Sequence, residues 1–374
     1  MSDLLVLSRS DLRALMRFDD YVEAVGEAFR LLARGGCQSP IPTEIPAQHG
    51  TFHIKAGALP RGAGYVAVKI NGNFPLNKAR HGLPTIQGAV YLADASNGRA
   101  LALLDSAEIT LQRTGAATAV AARYLARKDA RTATICGCGE QGRTQLTALR
   151  HVCNLRTAFA WDGDAEAARA FARRMTAETG IAVQAVDDLG AATRASDAIV
   201  TCTTAREPFL GMEHVRPGTF VAAVGADSPA KSELEPELMA NATVVVDVLE
   251  QASFMGDLHH AIAAGAMTAA DVHAELGALV AGDKPGRREP EEITIFDSTG
   301  TGIQDVAAAS RAYELARERG VGLACALERR VNRACYGPTT GVAKSTGGVY
   351  DGPGAPHRRD LTCAPPSPSC FLRS

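Results

Sequence analysis

Aromatic side chains are scarce in this sequence. Of 374 residues, 5% are Phe, Trp or Tyr, and there is a single Trp. That leaves little from which to build base-stacking platforms for single-stranded nucleic acid. Neither sign of charge is in excess: 39 Lys and Arg against 41 Asp and Glu give a net charge of -2. A polyanionic partner is therefore not indicated. No apolar run approaches the roughly 20 residues of a membrane helix. Residues 1–9 lack the basic stretch, apolar core and cleavage site of an export signal. The expectation is a cytoplasmic protein with neither a membrane nor a nucleic acid as partner. The nine cysteines, Cys37, Cys136, Cys138, Cys153, Cys202, Cys325, Cys335, Cys363 and Cys370, are odd in number and irregularly spaced. They suggest reduced small hydrophobes, with no disulfide framework and no metal site.

What is present is length, and a change of period. The chain is long enough for two domains with substantial cores. From Arg131 onward, strand-like and helix-like segments alternate, with strands expected at 132–136, 157–161, 197–202, 219–224, 243–247 and 293–296. That pattern predicts an α/β fold with a Rossmann-type doubly wound parallel sheet. The first strand runs into Gly137-x-Gly139-x-x-Gly142, and a helical pattern follows. One glycine makes the tight turn, one admits a pyrophosphate and one lets helix and strand pack closely. The helix N–H groups then face the phosphates. Asp162, 20 residues beyond Gly142 at the end of the second strand, suits the adenosine ribose hydroxyls and repels a 2′-phosphate, which points to NAD rather than NADP. Asp164 competes for that role.

The part before Arg131 reads differently. Ser10 and Asp19 look like N-caps of two helices, the second ending at Gly35-Gly36. Strands are expected at Thr51–Lys55, Tyr65–Ile70, Ile86–Leu92 and Ala100–Leu104, with a Pro/Gly/Asn-rich loop over Asn71–Pro84 and a turn at Asn97-Gly98. Asp105-x-x-Glu108 starts a helix that runs to about Arg127. Its small-residue stretch, Thr114–Ala119, implies either tight packing against the next domain or a place for Arg113 beside a cofactor. A long helix over Ile303–Arg319 returns to this first part. Residues 336–370 are rich in Gly, Pro, Ser and Thr and read as a disordered tail, taken to span 326–374.

Three groups outside the glycine loop carry candidate chemistry. Lys69 ends a strand before the long loop, where it either binds a substrate carboxylate or is a solvated surface lysine. Arg113 either meets an anion or makes a structural salt bridge. Asp227 follows the strand 219–224 at the carboxyl end of the sheet, where ligands bind. There it is either a proton carrier or a turn-forming residue before Ser-Pro.

In this order the chain resembles the ornithine cyclodeaminase/μ-crystallin family, over roughly residues 10–325. The motifs are Lys69 with its Asn-Phe-Pro loop, Gly82–Gly88, Leu111-Gln112-Arg113-Thr114, Gly137–Gly142, Gly225-Ala226-Asp227-Ser228-Pro229-x-Lys231-x-Glu233-Leu234, and Phe296–Gly300 with Gln304-Asp305. The resemblance implies a homodimer. Residues 1–129 with 303–325 would form an α+β substrate-binding and dimerisation domain, and 130–302 the NAD-binding domain. Asp227 and Lys69 would be catalytic, with Lys69 on the substrate carboxylate and Thr299 near the substrate. Thr85, Arg113, Gly137, Gly139, Glu140, Gln141, Gly142, Asp162, Thr203, Lys231 and Ser298 would line the cofactor.

The implied reaction takes hydride from Cα of an L-amino acid. A cyclodeaminase of this kind converts ornithine to proline and ammonia, an alanine dehydrogenase lets water attack the imine, and a cyclic imine reductase uses only the hydride return. A non-catalytic, crystallin-like binding protein is the further alternative. One departure bears on the substrate. No arginine lies between Arg34 and Arg61, where ornithine-using members carry one for the substrate carboxylate. Their acidic residue before Met-Pro is also missing, with His53 near its place and Lys55 near that of the methionine. Lys55 is a candidate replacement cation. His53 is either a second acid/base group or a half-buried strand histidine.

Overall fold

The computed structural model describes residues 4–62 and 64–327. Two sheets organise them. The first contains β1 (Leu4–Leu7), β2 (Thr43–Ala47), β3 (Gly50–Leu59), β4 (Tyr65–Asn73), β5 (Ile86–Asp94) and β6 (Ala100–Asp105). The second contains β7 (Thr132–Cys136), β8 (Thr157–Trp161), β9 (Ala182–Ala185), β10 (Ala198–Thr201), β11 (Phe220–Ala223), β12 (Thr243–Val246), β13 (Ala274–Glu275) and β14 (Thr294–Asp297), while β15 (Leu323–Cys325) returns to the first.

The second sheet runs β13-β12-β14-β11-β10-β7-β8-β9, and every pair is parallel. Strand order reverses between β7 and β10, so a crevice opens beyond their carboxyl ends. The expected α/β, doubly wound architecture is present. Strands β10, β11, β12 and β14 are buried along their whole length, or nearly so, because helices flank both faces of a parallel sheet.

The first sheet runs β15-β1-β6-β5-β4-β3-β2 and is antiparallel except for the β1–β6 pair. Helix Gly302–Arg319 lies against β3 and β4. The approach is close: a Cβ on Gly302 would stand 1.7 Å from the Ala56 carbonyl oxygen. Register puts Phe52, Ile70, Tyr91 and Leu103 on the opposite face. These four side chains are 39%, 46%, 37% and 37% exposed, so that face is apolar and uncovered.

Several local expectations shift. Ser8, not Ser10, caps the first helix, because its hydroxyl and the Asp11 carboxylate bond each other's backbone N–H in a capping box. The second helix starts at Phe18, with the Arg17 N–H held by Asp20, so Asp19 lies in the first turn rather than at the cap. Strands β1, β2, β9, β13 and β15 lack the alternation that would announce them. β2 is exposed at all five residues and contains Pro46, as befits an edge strand. A one-turn helix, Asn77–His81, interrupts the expected long loop. The small-residue helix extends over Ser106–Leu125 and packs on helix Glu140–Val152, where a Cβ on Gly115 would lie 2.6 Å from Thr144. Among the described residues no helix is long and apolar enough to cross a membrane. The expected tail beyond Leu327 lies outside the described residues.

Candidate active site

The glycine loop divides its three tasks as its spacing suggests. Gly137 sits at φ 106, and a Cβ there would meet the Cys202 carbonyl at 2.7 Å. A Cβ on Gly142 would stand 2.1 Å from the Gly137 carbonyl oxygen, whereas at Gly139 the space is open. The following helix has Gly139 at its N-cap and no side-chain cap, which leaves backbone donors facing that space.

At the end of β8 the Asp162 carboxylate accepts from Cys138 N at 2.7 Å and from Asp164 N at 3.0 Å, so it turns toward the loop. Asp164 instead caps the next helix. The Glu140 side chain points away into an exposed cluster with Arg143 and Arg174, at 2.9 and 3.1 Å. Burial pushes the thiols of Cys136 and Cys202 well up and that of Cys138 to about 12, which suits packing rather than reactivity.

Strand register builds the second half of the site. Lys55 on β3 stands directly across from Lys69 on β4, and His53 stands across from both Glu44 and Asn71. These residues occupy the inner face, toward helix Gly302–Arg319. Lys69 is 2% exposed, and its Nζ donates to Oδ1 of the buried Asp305 at 2.8 Å and lies 2.7 Å from Oδ2. Arg113 Nε donates to the same carboxylate at 3.0 Å, and its Nη1 donates to Gln304 at 2.9 Å. Lys55 Nζ donates to the carbonyls of Thr299 and Gly300 at 2.9 and 2.6 Å. Two cations thus share one carboxylate, with Lys55 on neighbouring carbonyls and Asp247 bonded to Thr299 and Gly300.

Burial, aided by Arg113 and Lys55 and opposed by Asp305, brings Lys69 down to about 7. Lys55 is lowered by burial and then by Arg113. Burial raises Asp305, but Lys69 and Arg113 outweigh it and hold the carboxyl low.

A cavity of about 230 Å³ opens between the sheets, walled among others by Lys55, Arg113, Gln141, Thr203, Asp227 and Ser298. Lys69 is not on that wall; it stands behind Asp305. Gln141 Nε2 and Ser298 Oγ are buried there without a partner. Thr299, also on the wall, commits its hydroxyl to Asp247 at 2.8 Å. Two unpartnered polar groups on this wall, beside an open glycine loop, fit a dinucleotide.

Asp227 faces this cavity and a second, outer one of about 510 Å³, whose walls include Glu44, His53, Thr85, Arg206 and Lys231. Its Oδ1 accepts from Lys231 Nζ at 2.6 Å, and the His53–Glu44 pair is 3.0 Å long. Enclosure in the cleft raises Asp227, but Lys231, Lys55 and His53 more than offset this and hold it at about 2.

Sequence reasoning assigned no role to Glu44, Arg206 or Glu233. Glu233 is fully buried; its Oε1 accepts from Thr203 N and Oγ1 at 2.6 and 2.7 Å, and its Oε2 from Gly225 N at 2.8 Å. It ties the loop after β10 to the loop that carries Asp227. A carboxylate beside Leu234 in a quoted motif was the available signal.

The sequence profile of the ornithine cyclodeaminase/mu-crystallin family matches residues 2–320. An alanine dehydrogenase of Archaeoglobus fulgidus is 39% identical over 320 residues, which are 86% of this chain and 97% of that one. The solved structure of an archaeal alanine dehydrogenase dimer with bound NAD superposes with a TM-score of 0.82 at 38% identity, covering 87% of this chain and all of that one. The Δ1-pyrroline-2-carboxylate reductase of Thermococcus litoralis, solved with NADH and L-proline, also gives 0.82 at 37% identity, covering 86% and 99%.

Proposed function

The chain belongs to the ornithine cyclodeaminase/mu-crystallin family, and on that premise we propose that it is an NAD-dependent oxidoreductase. Its substrate is a small amino or imino acid, and it works at the Cα–N bond. The observation that carries the reading is the buried group of Lys55, Lys69 and Arg113, in which Lys69 and Arg113 share the carboxylate of Asp305 and Lys55 holds only backbone carbonyls. Such an excess of buried positive charge calls for an anion, and an α-carboxylate at the cavity wall supplies one. Lys55 and Arg113 reach it directly; Lys69 acts through Asp305.

The glycine loop, Asp162 and the unpartnered Gln141 and Ser298 would hold the dinucleotide, with Thr203 and Lys231 beside it. Bound there, NAD takes or supplies the hydride at the α-carbon. Asp227 is a carboxylate at any working pH, held so mainly by Lys231. It takes a proton from the substrate nitrogen on oxidation, and on reduction its negative charge favours the protonated imine to which hydride adds. Lys231 keeps it ionised and aimed. Residues 1–129 with 303–325 form the substrate lobe. We further propose a homodimer, built on the apolar sheet face of Phe52, Ile70, Tyr91 and Leu103.

The test is NADH oxidation with pyruvate plus ammonium and with Δ1-pyrroline-2-carboxylate, each repeated with NADPH and with Asp227→Asn. Turnover with NADH that the variant loses by a factor of about 10² or more is expected. Full activity in the variant sinks the assignment of Asp227. A cyclodeaminase remains the second reading, favoured by Glu44: freed from His53, it is a carboxylate for a distal amine. Proline formed from L-ornithine with catalytic NAD⁺ establishes that reading instead.

A further inference from the structure

The outer cavity is larger than the cofactor-side one, about 510 against 230 Å³, and one of its cations has no partner. Four elements wall it, and three of them bring titratable groups. The β2–β3 hairpin contributes Glu44, His49 and His53; the loop after β11 contributes Asp227 and Lys231; the loop after β10 contributes Arg206; and the segment between β4 and β5 contributes only Asn73, Pro75 and Thr85. Two of these sets are paired internally, His53 with Glu44 at 3.0 Å and Lys231 with Asp227 at 2.6 Å. Arg206 makes no ion pair or hydrogen bond among the described residues. One guanidinium is therefore left over in a chamber that opens directly onto Asp227.

From this unpartnered guanidinium we propose that the outer cavity is a side-chain pocket for a second carboxylate, with Arg206 as the cation that reads it. The proposal rests on the amino- or imino-acid reading of the inner site and narrows its substrate to the dicarboxylic class. With the α-carboxylate at Lys55 and Arg113 and the reacting nitrogen at Asp227, the side chain has the outer cavity to occupy. A planar guanidinium binds a carboxylate through two parallel hydrogen bonds. A distal ammonium meets the same guanidinium as a like charge, and the carboxylate of Asp227 already holds Lys231. In the reductive direction the imine carbon gains hydride from NADH, its nitrogen gains a proton, and both carboxylates pass through unchanged.

The experiment compares kcat/KM for NADH oxidation with oxaloacetate plus ammonium against pyruvate plus ammonium, using the full chain, in the wild type, Arg206→Gln and Arg206→Lys. The wild type is expected to prefer the dicarboxylic imine by about tenfold or more. Arg206→Gln is expected to lower that preference by about tenfold, mostly through KM, and Arg206→Lys to restore part of it. A wild type that prefers pyruvate overturns the pocket while leaving the inner-site reading intact. So does an Arg206→Gln variant that keeps the preference but raises KM for NADH, since Arg206 then serves the cofactor. Absence of turnover with both imines and with Δ1-pyrroline-2-carboxylate overturns the inner-site reading and the pocket together.

Discussion

Replacing Asp305 by Asn removes the carboxylate that two buried cations share while nearly preserving its shape. The two cations it touches respond differently. Arg113 cannot shed its proton, so its share of the loss is that of a buried pair deprived of one partner, about 3–5 kcal/mol. Lys69 can. Burial already holds it at about 7 in the wild type, so at pH 7 the variant simply completes a deprotonation that is half done, at a cost below about 1 kcal/mol. Below pH 7 the wild-type fold carries a protonated Lys69 and the variant does not. The gap between them should then widen by up to about 1.4 kcal/mol per pH unit. Urea unfolding followed through the single Trp, Trp161, at pH 5, 6, 7 and 8 reads this directly. Asp305→Asn combined with Lys69→Met should keep the Arg113 loss but flatten the pH dependence. A gap below about 1 kcal/mol, or one that is constant from pH 7 to pH 5, would refute the account of a carboxylate shared by two cations.

Three further outcomes follow from the same geometry. Wild-type stability should rise between about pH 7 and pH 10.5 through Lys69, whose lowered folded value means that the unfolded chain binds more protons there; a difference curve against Lys69→Met that lacks this slope contradicts it. Glu233 works in the opposite sense: burial, then Asp257, raises it from 4.5 to about 7, so its contribution is present below about pH 4.5 and lost by pH 7, and Glu233→Gln should remove that fall in thermal midpoint. Gly142→Ala forces a Cβ to 2.1 Å from the Gly137 carbonyl and should cost about 1–3 kcal/mol together with NADH binding, read by fluorescence titration; binding at wild-type affinity would mean that the loop relaxes freely.

The fold was legible where local pattern and global fold agree. The β/α alternation after Arg131 gave the parallel sheet, and the three glycines each meet the contact that their spacing implies. The glycine roles survive because they depend on backbone sterics within six residues. Legibility failed where a strand owes its existence to its neighbour. β2 is exposed throughout and becomes a strand only through pairing with β3.

The site was harder to read for a related reason. β3 and β4 carry their charged residues, Lys55 and Lys69, on the covered face and apolar Phe52 and Ile70 on the open one. Alternation alone assigns the polar face to solvent. Only the helix Gly302–Arg319, more than 230 residues further along, reverses that assignment, by supplying Asp305. Lys69, singled out for the substrate, pairs with Asp305, while Lys55, offered as a replacement cation, stands on the cavity wall. A one-residue slip of β3 against β4 would turn Lys55 to the open face and Ile54 inward. The inner site thus depends on hairpin register as much as on the identity of any side chain in it, which is why no short stretch of sequence contains it.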